Sequence, residues 1–214
     1  MNTIRRISLL LFCLLCTALH VQAQDDKKVN EDDVQHKKWK PGFIVTPGGD
    51  TVKGRIKLTT FLNAPFYDFQ YKVFFENEHG ITTHFIPDSL RSFSYEEEKD
   101  GKPYLQSYVS VEFFDDTINS RVFLKLYKEG TCNVYGYTIT NVLPMMGGYS
   151  RIEHKYLQFG PTGGMHPIRL AGFKKEMKRL FINCPLIISR LDSKVYNFEN
   201  WETMVNDYNF GMCK

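Results

Sequence analysis

From residue 41 onward, apolar and polar positions alternate in short runs. Val52, Gly54, Ile56 and Leu58 fall on one face, and Tyr67, Phe69, Tyr71, Val73 and Phe75 on another. A period of two is the pattern of a strand whose successive side chains point to opposite sides of a sheet. Further segments of this kind are 81–86, 91–95, 104–114, 121–128, 133–140 and 154–159, separated by turn-rich stretches such as "NEHG", "EEEKDGKP", "DDTINS" and "KEG". Within 104–114 the alternation places Leu105, Ser107, Val109, Val111 and Phe113 inward and Gln106, Ser110 and Glu112 outward. About eight or nine strands at this spacing predict a mainly antiparallel sheet, closed into a barrel or folded into a sandwich.

After Pro167 the period lengthens. Leu170, Phe173, Met177, Leu180 and Phe181 recur at helical spacing over 168–181, with Lys174, Lys175, Lys178 and Arg179 largely on the other side. A second helix is expected from Pro185, a residue tolerated at a first helical position, with Leu186, Ile187 and Leu191 buried. A third is expected over about 198–208, capped by Asn197, with Glu199 and Glu202 at its positive end and Phe198, Trp201, Val205 and Tyr208 as its apolar stripe. Strands first and two or three helices afterwards define an α+β chain. The expected division is a β-rich domain at 41–160 and a helical C-terminal subdomain at 161–214 packed on it.

The chain begins differently. Arg5 and Arg6 precede an apolar run over 7–19 and then Val21-Gln22-Ala23, the three regions of a secretory signal peptide with cleavage after Ala23. Cys13 follows Phe12 and Cys16 follows Leu15, which disfavours a lipid-anchoring signal. Residues 24–40, "QDDKKVNEDDVQHKKWK", carry alternating charge blocks and little apolar surface, and read as a flexible tether. Removing 1–23 lowers the formal charge from +3 to +1, which offers no field for steering nucleic acid. Beyond the signal, no stretch is apolar enough for a membrane-spanning helix. Three cysteines then remain: Cys132, Cys184 and Cys213. Export permits a disulfide, and Cys184 with Cys213 is the pairing chosen because both lie in the C-terminal segment; the alternative is that all three stay free.

The most motif-like segment is "FIVTPGGDTVKGRI" at 43–56. A phosphate-binding loop needs a Lys-Ser or Lys-Thr pair opening a helix, whereas here β-branched alternation continues after Asp50. The segment therefore reads as a turn between two strands. "FGPTGGMHPIRLAGF" at 159–173 lacks the same pair and reads as a linker between sheet and helices. The histidines His36, His79, His84, His154 and His166 show no paired zinc spacing, and "DDTINS" lacks the acid ladder of a calcium loop, so no metal or cofactor is expected. Ser89 beside Asp88, with His84 nearby, has no nucleophile elbow, and Asp115 with Asp116 is an acid pair without further support for glycoside cleavage. Lys174, Lys175, Lys178 and Arg179 form a basic helical face that could meet a partner or an anionic membrane surface, or could simply be solvated. Aromatic residues make up 14% of the chain, but their alternation marks most of them as core rather than as sugar-stacking platforms.

Taken together, "PGFIVTPGGDTVKGRI", "YDFQYKVFF", "FIPDSLRSF", the "EG" turn before "CNVYGY", and "FINCPLIISRLDSKVYNFENWETMVNDYN" resemble uncharacterised secreted or envelope proteins of the Bacteroidota. In these a Gly-Asp-Thr-x-x-Gly hairpin opens a β-rich domain and a helical tail follows. The resemblance implies an address in the periplasm or at the outer membrane and no catalytic residue. The expected function is that of an exported, non-enzymatic module contacting an envelope protein or glycan. The rivals are a hydrolase of an envelope polymer, in which folding would bring His84 and His154 or scattered carboxylates together, and a small-ligand carrier with a barrel cavity.

Overall fold

The computed structural model describes residues 39–57, 70–115, 118–143 and 148–213. The signal peptide, residues 24–38 of the expected tether, and Leu58, Tyr67 and Phe69 lie outside them. Trp39 and Lys40, expected in the tether, instead belong to the first strand.

Ten strands form one sheet: β1 (Trp39–Val45), β2 (Thr51–Lys57), β3 (Val73–Asn77), β4 (Thr82–Phe85), β5 (Ser92–Lys99), β6 (Lys102–Asp115), β7 (Ile118–Lys128), β8 (Cys132–Leu143), β9 (Gly148–Phe159) and β10 (Met165–Pro167). Their spatial order is β10-β9-β8-β7-β6-β5-β1-β2-β3-β4, and every recorded pairing is antiparallel. The expectation of a barrel or sandwich is corrected. The sheet is open, with β10 and β4 as its edges, and it has one or two strands more than the sequence pattern predicts. The additional element is β10, three residues within the segment expected to be a linker.

Turn chemistry follows from the sequence. β1 and β2 are joined through residues 46–50, where the Gly49 amide donates to the Thr46 carbonyl at 3.0 Å and the Thr46 amide to the Asp50 carbonyl at 2.9 Å. Gly49 has φ +95°, a conformation that the missing Cβ makes inexpensive. The "EEEKDGKP" stretch is mostly strand: β5 runs to Lys99 and β6 starts at Lys102, so the chain reverses on Asp100 and Gly101 alone, both at positive φ.

The sheet curls, and each of its faces acquires a core. On one face Ile44, Ile56, Val73, Phe75, Phe93 and Phe123 are buried, with Phe93 stacked on Tyr108 at 4.9 Å and meeting Phe123 edge-on at 5.1 Å. On the other, Phe113 of β6 reaches Tyr156 of β9 at 4.9 Å although two strands intervene. Strands about 4.8 Å apart in a flat sheet would hold these rings far out of contact, so the curvature is strong. This explains where the expected facing of 104–114 fails, at Leu105 and Gln106, while Phe113 is buried as expected. Gln106, expected outward, is buried beside the first core, and Leu105, expected inward, is half exposed, because β6 buries parts of both faces.

β8 pairs with β9 along its whole length but with β7 only at Val134, Tyr135 and Gly136. On either side of that short ladder, carboxamide side chains replace the missing strand. Asn209 accepts from the Cys132 amide at 2.8 Å and donates to the Cys132 carbonyl at 2.9 Å. Gln70 accepts from the Thr138 amide at 2.5 Å and donates to the Thr138 carbonyl at 3.0 Å, while its own carbonyl receives the Phe123 amide of β7 at 2.8 Å. A primary amide carries the same donor and acceptor as a peptide group, so it can satisfy both atoms of an edge residue.

Three helices follow: α1 (Phe173–Leu180), α2 (Pro185–Asp192) and α3 (Trp201–Asn209), the last preceded by a 3-10 turn at Phe198–Asn200. α1 starts five residues later than expected, since Gly172 at φ +75° interrupts the helix before it, and Leu170 is exposed instead of buried. Leu186 is likewise exposed, a second correction, while Ile187 and Leu191 are buried as expected. Asn197 does act as a cap, accepting from the amides of Glu199 and Asn200 at 2.9 and 3.1 Å. The helices cover Cys132, Val134 and Leu157 with Phe173, Met177, Phe181, Ile187 and Met204, and Phe159, Phe181 and Tyr208 form a mutually edge-on trio. Cys184 and Cys213 are disulfide-bonded, with Cα atoms 5.2 Å apart, and Cys132 is free and buried. Burial pushes the Cys132 thiol up to about 12, which makes it an inert core residue.

Two measurements check this account. Asn209→Asp removes the donor to the Cys132 carbonyl while keeping the shape, and should cost about 1–3 kcal/mol in urea unfolding, the range for a buried group left without its partner. Reducing the disulfide, which closes a loop across 29 positions, should cost a further 3–4 kcal/mol, roughly the chain-entropy value for a loop of that length.

Candidate binding groove on the helical cap

The residues weighed as candidates for chemistry are dispersed or already engaged. His84 lies on β4 and His154 on β9, with seven strands between them in the sheet order. The Ser89 hydroxyl donates to the Ile86 carbonyl at 2.8 Å and accepts the Ile86 amide at 3.0 Å, so it serves a 3-10 turn. Asp115 ends β6, and Asp116 lies outside the described residues. Among the described residues, no three His, Cys, Asp or Glu side chains gather as metal ligands, and no helix is long and apolar enough to cross a membrane.

One polar cluster does converge on the sheet. Tyr127 sits where the β7–β8 register shifts, and its hydroxyl donates to both carboxylate oxygens of Glu153 at 2.6 and 2.7 Å. The Lys155 ammonium bonds Glu153 at 2.9 Å and lies 3.0 Å from the Tyr127 ring centre. All of this folds over Gly136, where a Cβ would come within 2.5 Å of Glu153 and 2.7 Å of Tyr127. Burial and the Glu153 carboxylate push the Tyr127 hydroxyl well above the ordinary phenol range. Burial also opposes the Glu153 charge, but hydrogen bonds from Tyr127 and Lys155 outweigh it and leave the carboxyl below its ordinary value. The cluster locks a tyrosine over a glycine at a bulge and is structural.

A concavity of about 840 Å³ with an apolar floor lies on the helical cap. Its floor is Phe173, Leu191, Tyr196 and Phe198, with Phe173 and Phe198 edge-on at 5.8 Å. Local sequence builds it: Pro185 opens α2, and the Tyr196 hydroxyl holds the following turn by bonds to Asp207 of α3 and, at 2.9 Å, Arg190 of α2. Lys174, Lys175, Lys178 and Lys194 rim the groove.

Of the four basic residues singled out on α1, three therefore meet at one site. Arg179 turns to Glu176 and does not line it. Lys174 and Lys178 each contact one oxygen of Asp192 at 2.8 Å. Hydrogen bonds from these two ammonium groups hold the Asp192 carboxyl below the ordinary aspartate range. Among the described residues, no carboxylate pairs with Lys175 or Lys194. The sequence pattern missed Lys194 and the aromatic floor. Lys194 sits at φ +61°, just beyond α2, a conformation that its sequence neighbours do not announce and that glycine usually occupies.

No family model, curated protein or solved structure matches this chain.

The pairing of Asp192 gives a signed expectation. Because folding lowers its pKa, its contribution is complete above the ordinary aspartate value and is lost as pH falls through the lower folded value. A carbon-detected NMR titration should place the Asp192 midpoint below that of an unstructured aspartate; an ordinary midpoint would mean that the two lysines do not hold it.

Proposed function

We infer that this protein is an exported, non-enzymatic binding module of the cell envelope that works through the face of its helical cap. The observation that carries this reading is the groove itself: Leu170 exposed above a buried aromatic and aliphatic floor, rimmed by four lysines of which one carboxylate engages only two. Apolar pockets with a few polar groups around them are the usual form of a recognition site. The charge is local, since the chain as a whole is close to neutral once the signal is removed. Such an arrangement favours selective attraction to a negatively charged partner over general adhesion.

Export is proposed from the charged, apolar and small-residue regions over 1–23, and the Cys184–Cys213 bond is in keeping with an oxidising compartment. In this reading the ten-stranded sheet is a rigid support, and binding energy is concentrated on the cap.

The test uses residues 24–214, immobilised and exposed to envelope extract. Components retained are identified by mass spectrometry, purified and returned to the protein in a direct titration. The expected result is saturable rebinding of one component with micromolar affinity, roughly −8 kcal/mol, and no turnover of a peptidoglycan, glycan and peptide panel. Turnover without a rebinding partner would reverse the assignment in favour of a hydrolase.

A further inference from the structure

We propose that the groove on the helical cap takes an acidic peptide segment of a partner protein, anchored by one large apolar side chain. This rests on the binding-module reading and goes beyond it by naming the occupant.

The choice follows from shape and charge together. Three of the floor residues, Phe173, Leu191 and Tyr196, are only 6%, 1% and 3% exposed, so the apolar surface a ligand can touch is that of Leu170, 71% exposed, and of the partly exposed Phe198. One exposed leucine beside a partly exposed ring offers little for insertion into a lipid surface, but it is enough to pack against a single aromatic or leucine side chain of a peptide. A neutral glycan would leave the lysines without a counter-charge. A free phosphate would match the lysines and leave the floor unused.

The number and origin of the cations then narrow the ligand. Lys175 is on α1 and Lys194 follows α2, so two unpaired ammonium groups reach the rim from separate elements. A single fatty-acid carboxylate would satisfy one of them. A peptide with carboxylates on both sides of its anchor would satisfy both and still place an apolar side chain between them. Asp192 tempers this attraction from within, because it occupies Lys174 and Lys178 with 2.8 Å contacts. It thereby gives the proposal a sign: removing that carboxylate frees two more cations and should tighten an anionic ligand, whereas a cationic ligand would bind less well.

The experiment titrates residues 24–214 with a fluorescein-labelled peptide, acetyl-Glu-Asp-Phe-Leu-Glu-Asp-amide, at low and physiological salt. Two control peptides are used: one with Ser replacing the Phe and Leu, and one with Lys replacing the acids. The proposal expects the acidic apolar peptide to bind best and to weaken with salt, as an interaction at an exposed rim must. It expects Lys175→Glu combined with Lys194→Glu to lose about tenfold or more in affinity, since like charges now face the ligand. Asp192→Asn should gain affinity, by roughly two- to tenfold on the same Coulombic grounds.

Urea unfolding and circular dichroism of each variant establish that it is folded. If the double variant does not fold, Lys175→Gln and Lys194→Gln singly take its place, with a smaller loss of the same sign expected. Equal binding of the basic peptide, no loss in the lysine variants, or weaker binding by Asp192→Asn would each overturn the proposal. So would failure of the peptide to bind while anionic phosphatidylglycerol vesicles or palmitate bind in a lysine-dependent way. If instead an envelope component rebinds the wild type and the lysine variants alike, the binding-module reading stands and this groove is not its site.

Discussion

The structure depends on how one strand edge is satisfied. β8 is fully paired on its β9 side, but β7 meets it only across Val134–Gly136, and among the described residues no strand continues where the peptide groups of Cys132 and Thr138 face. A buried peptide group without a partner is costly, so these positions need a substitute. The carboxamides of Asn209 and Gln70 supply it, each donating and accepting once. Because Asn209 ends α3 and Gln70 precedes β3, two parts of the chain distant in sequence are fastened to the same strand by backbone-like bonds.

That arrangement accounts for the architecture around it. With β7 and β8 in contact only briefly, the long hairpins β6–β7 and β8–β9 can curl in their own directions, and both faces of the sheet gain an aromatic core. The Asn209 bond also fixes where the helical cap lies on Cys132, Val134 and Leu157. The cap in turn sets Phe173, Leu191 and Tyr196 as the floor of a groove whose lysines are only partly neutralised. The binding surface is thus several steps removed from the sheet edge, but each step is a named contact.

Much of this was legible in the sequence, and the failures share a cause. Period-two alternation locates the strands other than β10, Pro47-Gly48-Gly49-Asp50 locates the first turn, and Asn197 and Pro185 mark helix starts. Cys184 with Cys213 is the pairing formed. What alternation cannot show is curvature: Gln106 and Leu105 exchange their expected roles because a curled sheet has no single inside. Leu170 continues a helical stripe in sequence, but Gly172 ends that stripe in space. The site was legible only in part. Lysines at helical spacing place three of its four cations, while Lys194 and the floor residues depend on how α1 and α2 pack, which no local pattern records. Gln70 and Asn209 carry no signal at all, since a carboxamide reads as an ordinary polar residue until its partner is known.

Native-state hydrogen exchange of individual backbone amides tests the edge most directly. If the two carboxamides replace the missing strand, the Cys132 and Thr138 amides exchange only through global unfolding, at the same free energy as the Val134 amide within the β7–β8 ladder. Fast exchange at Cys132 and Thr138, with Val134 still protected, would show that the edge is open to water and that neither side chain holds it.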